Sequence, residues 1–197
     1  MKHLLAILSI TCFILVFLSC SNKQKNKTTP QKPGMEWRTI TVNNTYSISL
    51  PKYMKETKNL NKDASLQYQN IDKQQFLVVL SESKPALSAL FKETNQWHNN
   101  KSVLQNYRRV QIKSLKQNMK VHDLSKPKPA IVNGLNAEII SIDGLVGEAS
   151  HAIAYTLAFI EDKEDLYMIM IWTAQDQKIA LKEDHDFIIS SFTSLQY

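Results

Sequence analysis

A row of basic side chains recurs at positions i, i+4, i+7 and i+11 in the middle of the chain: Arg109, Lys113, Lys116 and Lys120. That spacing places them on one face of a helix predicted over residues 101–120. Such a row is typical of a solvated helix face, and it also suits electrostatic contact with anionic lipid or an acidic protein. Trp97, in the polar break before the helix, is a candidate residue for contact with a protein partner.

The histidines show no spacing typical of a catalytic or metal site. Those expected in the mature domain are His98, His122, His151 and His185. No two are three or four residues apart, so a helical pair of metal ligands is not predicted. His185 falls in an apolar helical row, which favours a packed histidine over a ligand. His122 and Asp123 are adjacent and would point to opposite faces of a strand. No metal or cofactor is therefore predicted.

The patterns of nucleophilic and phosphate-binding enzymes are missing as well. Residues 147–151 (GEASH) lack the second glycine of a nucleophile elbow, and the chain has only 4 glycines with no phosphate loop. The acidic clusters at 161–165 and 183–186 are predicted to be solvated turns and helix ends, with a Ca²⁺ site as the lesser alternative. The sequence predicts no catalytic residues, and an unrecognised hydrolase is the third hypothesis.

The N-terminus has the features of an export signal. Residues 4–18 form an apolar run of 15 residues after a short basic start. As a helix this run would span roughly 22 Å, less than the bilayer core, so residues 1–19 are predicted to be a signal peptide. Leu18 and Ser19 before Cys20 resemble the lipobox of bacterial lipoproteins, which implies that Cys20 is lipidated. Cys12 would leave with the signal, and the mature domain would contain no thiol for catalysis, metal binding or redox chemistry.

Residues 20–36 are predicted to comprise the lipidated cysteine and a flexible tether, since they are rich in Lys and Pro and have no apolar periodicity. Such a coil averages roughly 20–24 Å from end to end. The remaining residues 37–197 are predicted to form one domain with an uneven charge distribution. Residues 37–128 carry 16 basic and 6 acidic groups, whereas residues 129–197 carry 3 and 11. This asymmetry predicts surfaces of opposite sign.

Alternating and continuous apolar patterns predict seven strands, at residues 37–42, 46–51, 66–69, 75–81, 136–143, 151–161 and 166–173. Besides the helix over 101–120, helices are predicted at 86–97 and near the C-terminus, where an apolar row faces inward: Leu181, His185, Ile188 and Phe192. Trp172 is predicted to be a core residue. The strands at 75–81, 151–161 and 166–173 are apolar on both faces, and the polar residues 162–165 form a connection of hairpin length between the last two. The prediction is therefore an α+β fold with a central antiparallel sheet sandwiched between helices.

Three segments resemble the PsbP-like superfamily: residues 46–51 (YSISLP), 133–137 (NGLNA) and 188–192 (IISSF). The strands that are apolar on both faces add to the resemblance. That group includes the extrinsic photosystem II subunit PsbP and small DcrB-type bacterial lipoproteins, and the resemblance covers about residues 40–197. It implies an α/β/α sandwich and an accessory or binding role. It supplies no functional residues that map onto this chain position by position.

Taken together, the sequence predicts a non-catalytic envelope lipoprotein that binds or stabilises a protein partner at the membrane surface. The alternative is a carrier of a small ligand or lipid, with a pocket between sheet and helices. Nucleic acid is not expected as a partner, because the chain is predicted to be exported. The expected location is the outer membrane, with the domain facing the periplasm, and the expected contacts are an envelope protein or an anionic lipid surface.

Overall fold

The computed structural model describes residues 35–147 and 151–196, which lie within one compact unit. The strands are β1 (Trp37–Val42), β2 (Tyr46–Pro51), β3 (Lys55–Glu56), β4 (Leu66–Asn70), β5 (Gln75–Ser83), β6 (Met119–Leu124), β7 (Lys128–Val132), β8 (Leu135–Val146), β9 (His151–Glu161), β10 (Asp165–Ala174) and β11 (Thr193–Ser194). The helices are α1 (Lys84–Glu93), α2 (Val103–Gln117) and α3 (Lys182–Ser190).

All the strand pairs described are antiparallel and form two sheets. The larger has eight strands in the order β3-β4-β5-β10-β9-β8-β6, and β7 also pairs with β8. The smaller has three strands in the order β1-β2-β11. The predicted turn after β1 is present, and Asn43 and Asn44 adopt the positive φ angles of 47° and 56° that Asn tolerates in turns.

The three central strands β5, β10 and β9 are buried on both faces, as their apolar sequences predicted. One face packs against α1 and α2 through residues such as Phe91 and Tyr107. The other face packs against the small sheet and α3, through residues such as Tyr46 and Ile188. The predicted α+β fold is therefore confirmed, with one addition: the small sheet shares the second outer layer with α3.

Small side chains on β9 allow α3 to pack against the sheet. Ala154 and Ala158 are buried, and Ala158 lies in the same cluster as Ile188 and Ile189 of α3. The inward row predicted near the C-terminus is confirmed, because its four members are all buried: Leu181, His185, Ile188 and Phe192.

Two predictions in the basic segment are wrong. The helix predicted to run to residue 120 ends at Gln117, and Lys120 lies on strand β6. The helix predicted over 86–97 occupies Lys84–Glu93 instead, so Trp97 follows it at a distance of several residues. The edge strands β6 and β7 were not predicted, because their short polar sequences carry little apolar alternation.

The predicted signal peptide, lipidation site and most of the tether lie outside the described residues. Within the described ranges no helix combines the length and apolarity needed to cross a membrane.

Candidate functional site

Helix α2 begins at a complete capping box. Ser102 Oγ accepts a hydrogen bond from the backbone N–H of Gln105 at 3.1 Å, and the Gln105 side chain accepts one from the Ser102 N–H at 3.2 Å. This reciprocal pair satisfies backbone donors that a helix start leaves unpaired. Leu104 and Tyr107 then pack into the core on one side. Arg108 and Arg109 follow at the edge of that packed face, half-buried.

A pocket of about 440 Å³ lies between α2 and the sheet, beside the connection from β6 to β7. Its apolar wall includes Ile112 of α2, Leu124 at the end of β6 and Ile140 of β8. Five basic residues also line it: Lys101, Arg108, Arg109, Lys113 and Lys116. The volume lies within the range of small-molecule sites. We call this the basic pocket.

Arg108 is the one basic residue of the pocket that has an acidic neighbour among the described residues. Its Nε lies 2.9 Å from Glu138 Oε2, with side chains 16% and 13% exposed. The two atoms are close but not aligned for a hydrogen bond. Arg109 donates from its guanidinium to the Gln96 carbonyl, while its Nε is buried without a hydrogen-bond partner in the described chain.

Among the described residues, no carboxylate forms an ion pair with the remaining basic groups of the pocket: Lys101, Arg109, Lys113 and Lys116. Lys113 and Lys116 are exposed at the rim, whereas Ile140 is 3% exposed at the inner wall. The pocket thus combines an apolar interior with a cationic rim, which suits a ligand that is both apolar and anionic.

The structure brings three of the four residues of the predicted basic row, Arg109, Lys113 and Lys116, to this pocket. Lys120 does not line it, because it lies on β6. Sequence reasoning missed Lys101, Arg108 and the apolar wall. The adjacent pair Arg108–Arg109 was an available signal, since the chain has no other neighbouring arginines.

Trp97, the candidate contact residue, is not fully exposed. It is half-buried and packs against the helix-side core. The Lys92 ammonium lies 5.1 Å from the centroid of its ring, a cation–π contact. Trp97 therefore packs beside the end of α1, and a direct role in contacting a partner stays a proposal.

A second and larger groove, of about 910 Å³, lies at one end of the sheet. Phe76 and Trp172, which line it, stack with centroids 5.2 Å apart, and Tyr155 lies 5.9 Å from the Trp172 ring. Phe76 and Trp172 turn one face toward each other, so that face of each ring is closed to a ligand. Trp172 is half-buried and packs against the core, as predicted.

A buried polar cluster lies beneath α3. Tyr53 Oη has one proton to share between two acceptors, Gln75 Oε1 at 2.6 Å and Asp184 Oδ2 at 3.0 Å. His185 Nδ1 lies 3.3 Å from Thr156 Oγ1 on β9. Burial is the main cause that lowers the pKa of His185 to about 4, so the ring is neutral at pH 7. The packed histidine predicted at this position is confirmed.

This cluster is not arranged as a catalytic relay. His185 contacts the hydroxyl of Thr156, while the Asp184 carboxylate accepts a hydrogen bond from Tyr53. With His185 only 3% exposed and Asp184 2% exposed, a dissolved substrate has no direct access to them. In the part of the chain that the structure describes, no group of three or more His, Cys, Asp or Glu is placed to hold a metal ion.

The acidic clusters predicted to be solvated are partly buried, so that prediction is wrong for Asp184 and Asp162. Asp162 is 8% exposed. Its Oδ1 accepts from the backbone N–H groups of Glu164 and Asp165, at 2.9 and 2.7 Å. Its Oδ2 accepts from the hydroxyls of Ser194, at 2.7 Å, and Tyr167, at 3.2 Å. Asp162 therefore ties the β9–β10 hairpin to the C-terminal strand.

Comparison with known proteins gives a structural likeness without a sequence family. No protein-family model and no curated protein matches the chain. The solution structure of cyanobacterial PsbP (CyanoP) from Synechocystis sp. PCC 6803 superposes with a TM-score of 0.56 at 14% identity, covering 84% of this chain and 98% of that one. LpqN of Mycobacterium tuberculosis, described as involved in cell envelope biogenesis, gives a TM-score of 0.45 at 9% identity, covering 82% and 91%. Because CyanoP is covered almost completely, the described chain has the PsbP-like fold.

Proposed function

We propose that this chain is a non-catalytic envelope lipoprotein of DcrB-like type whose domain binds an anionic amphiphile in the basic pocket. The observation that carries the proposal is the combination in one pocket of Ile112, Leu124 and Ile140 with five basic side chains. Of the leading function and its alternative, this geometry supports the alternative, the ligand carrier, over the docking protein.

The apolar wall supports an alkyl chain as part of the ligand. Burial of apolar surface contributes about 25 cal/mol per Å², which favours an alkyl chain against Ile112, Leu124 and Ile140. The lysines at the rim support an anionic head group, because they attract opposite charge within about 8–10 Å at physiological salt. A neutral amphiphile would gain only the first of these contributions.

The support for a protein partner is smaller. Lys113 and Lys116 are exposed and could meet an acidic protein surface. However, Trp97 is half-buried and Lys120 stands apart on β6, so the contact surface predicted from the sequence loses two of its five members. Docking of an acidic envelope protein at the rim of the pocket remains the second candidate.

The anchor is proposed on sequence grounds. Lipidation at Cys20, followed by a short tether, would hold the domain close to the outer membrane on its periplasmic side and keep the pocket within reach of lipid. Replacement of Cys20 by Ser should yield an unprocessed form that keeps the signal peptide and lacks acyl chains by mass spectrometry. A wild-type protein with an unmodified N-terminus at Met1 would contradict the anchor.

Binding is tested on the purified lipoprotein in nanodiscs of neutral phosphatidylcholine, by calorimetric titration with octanoate, octyl phosphate and octyl glucoside. Both anions should bind at least tenfold more tightly than the neutral glucoside, after subtraction of empty nanodiscs. The double variant Lys113→Glu/Lys116→Glu should lose that preference.

The matched control is Lys58→Glu/Lys62→Glu, which makes the same charge change at exposed positions outside the basic pocket. It should bind both anions like the wild type. Equal binding of the anions and the glucoside, or equal loss in both double variants, would contradict the proposal.

A further inference from the structure

Two of the three arginines in the chain, Arg108 and Arg109, line the basic pocket; the third, Arg38, does not. We infer that the head group bound in this pocket is a phosphate carried on an alkyl chain, in preference to a carboxylate. This inference rests on the proposed function and names the chemical class of its ligand.

The count of charges favours a phosphate. Five basic residues line the pocket, and Glu138 offsets one of them, which leaves an excess of about four positive charges. A carboxylate supplies one negative charge, whereas a phosphate monoester supplies about 1.5 to 2 at pH 7. A phosphate therefore compensates more of the excess in the same space.

The type of residue favours a phosphate as well. The guanidinium group holds several N–H donors in a planar fork, which matches the oxygens of phosphate in a bidentate arrangement, whereas Lys acts as a point charge. The Nε atoms of both Arg108 and Arg109 are buried without a hydrogen-bond partner among the described residues. Arg38 Nε, outside the pocket, is buried in the same way, so the terminal N–H groups of the two forks are the donors available to a phosphate in the pocket.

Glu138 competes with a bound phosphate for contact with Arg108. The two side chains are close, at 2.9 Å, but they are not aligned for a hydrogen bond. A phosphate that pairs with Arg108 therefore displaces a charge contact but no well-formed hydrogen bond. Glu138 does not itself line the pocket, but it lies beside Arg108, so removal of its charge should strengthen phosphate binding by leaving the Arg108 charge uncompensated.

The test compares ligands with the same alkyl chain on the lipoprotein in neutral nanodiscs. Octyl phosphate should bind at least tenfold more tightly than octanoate, and its affinity should rise from pH 5 to pH 7, as its second ionisation, with a pKa near 6, completes. Inorganic phosphate alone should bind at least tenfold more weakly than octyl phosphate, because it makes no contact with the apolar wall. Glu138→Gln should tighten octyl phosphate binding by roughly threefold or more.

The double variant Arg108→Lys/Arg109→Lys keeps the charge and removes both forks. It should retain octanoate binding but bring the ratio of phosphate to carboxylate affinity close to one. Arg38→Lys is the matched control, because Arg38 is also half-buried and donates to a backbone carbonyl, that of Met54, outside the pocket. It should leave the ratio unchanged. Circular dichroism and thermal unfolding establish that both variants fold.

The outcomes separate this inference from the proposed function. Equal affinities for octyl phosphate and octanoate, both tighter than for octyl glucoside, would overturn the phosphate inference and leave the amphiphile site standing. Equal affinities for inorganic and octyl phosphate would overturn both the inference and the proposed function, because the alkyl chain would then contribute nothing and the pocket would be a site for free phosphate. No preference for either anion over the glucoside would also overturn both.

Discussion

His185 Nδ1 and Thr156 Oγ1 lie 3.3 Å apart, in a polar contact between helix α3 and the central strand β9. His185 Nε2, on the other side of the ring, is buried without a hydrogen-bond partner among the described residues. A proton added to His185 would therefore place a charge in a poorly solvated site, although Asp186 partly favours it. The packing of α3 on the sheet thus depends on a neutral histidine.

The first prediction concerns pH. The pKa of His185 is about 4 in the folded state, against 6.5 for the unfolded chain, so the unfolded state takes up the proton more readily. The contribution of the neutral His185 to the free energy of unfolding is fully present above pH 6.5. It falls by about 3 kcal/mol as the pH decreases towards 4. Urea unfolding of the wild type, measured at several pH values between 6.5 and 4, should show this loss. Any loss caused by protonation of carboxylates would be added to it.

The variant His185→Gln stays neutral at every pH and should lack this part of the loss. His122→Gln, at an exposed position on β6, should keep the wild-type dependence on pH. If His185→Gln and the wild type lose stability in parallel between pH 6.5 and 4, the proposed cause is wrong.

The second prediction concerns Asp162. The variant Asp162→Ala leaves two backbone N–H groups and the hydroxyls of Ser194 and Tyr167 without their acceptor, so the free energy of unfolding should fall by about 2–4 kcal/mol. Glu164→Ala, at the exposed tip of the same hairpin, should change it by less than about 0.5 kcal/mol. Equal effects in urea unfolding would show that the Asp162 contacts do not stabilise the hairpin.

The third prediction concerns the start of α2. Ser102→Ala removes the side-chain half of the capping box and should lower the free energy of unfolding by about 1 kcal/mol. Ser114→Ala, on an exposed turn of the same helix, should be neutral or slightly stabilising, since Ala has the higher helix propensity. Thermal unfolding of the two variants side by side gives the comparison, and a Ser102→Ala variant as stable as Ser114→Ala would contradict it.

The fourth prediction concerns Gly144 on β8. A Cβ atom at this position would lie 2.5 Å from the Lys120 carbonyl oxygen, which belongs to the backbone of β6 and cannot simply rotate away. Gly144→Ala should therefore cost about 1–3 kcal/mol and displace β6. Since β6 leads to Leu124 in the wall of the basic pocket, octyl phosphate binding should weaken as well. Asn136→Ala, at an exposed position on the same strand, serves as the control. Equal changes of stability and of octyl phosphate binding in the two variants would contradict the close contact at Gly144.

Much of the fold could be predicted from the sequence, because its core strands carry a strong pattern. The strands β5, β9 and β10 are apolar on both faces, and the connection 162–165 is short, which together require an antiparallel sheet covered on both sides. The edge strands β6 and β7 could not be identified in the same way. Their side chains are mostly exposed, so no burial pattern marks them in the sequence.

The candidate site could be predicted only in part. Helical spacing brought Arg109, Lys113 and Lys116 together, but the fourth member, Lys120, was lost because the helix ends at Gln117. The apolar wall combines Ile112 of α2 with Leu124 of β6 and Ile140 of β8. These residues meet through the pairing of β6 with β8, which local periodicity in the sequence does not encode. The buried acids Asp162 and Asp184 were missed for a related reason, since their partners are distant residues or backbone groups.

The pairing of β2 with β11 sets an order on folding. Ser47 pairs with Thr193, and the ring of Tyr46 stacks on Phe192 with centroids 5.3 Å apart, so one of the earliest core strands is completed by residues almost at the other end of the chain. Closing so long a loop is slow compared with local contacts. The three-stranded sheet is therefore completed only after residues 192–194 have been synthesised, although the β1–β2 hairpin can form before them.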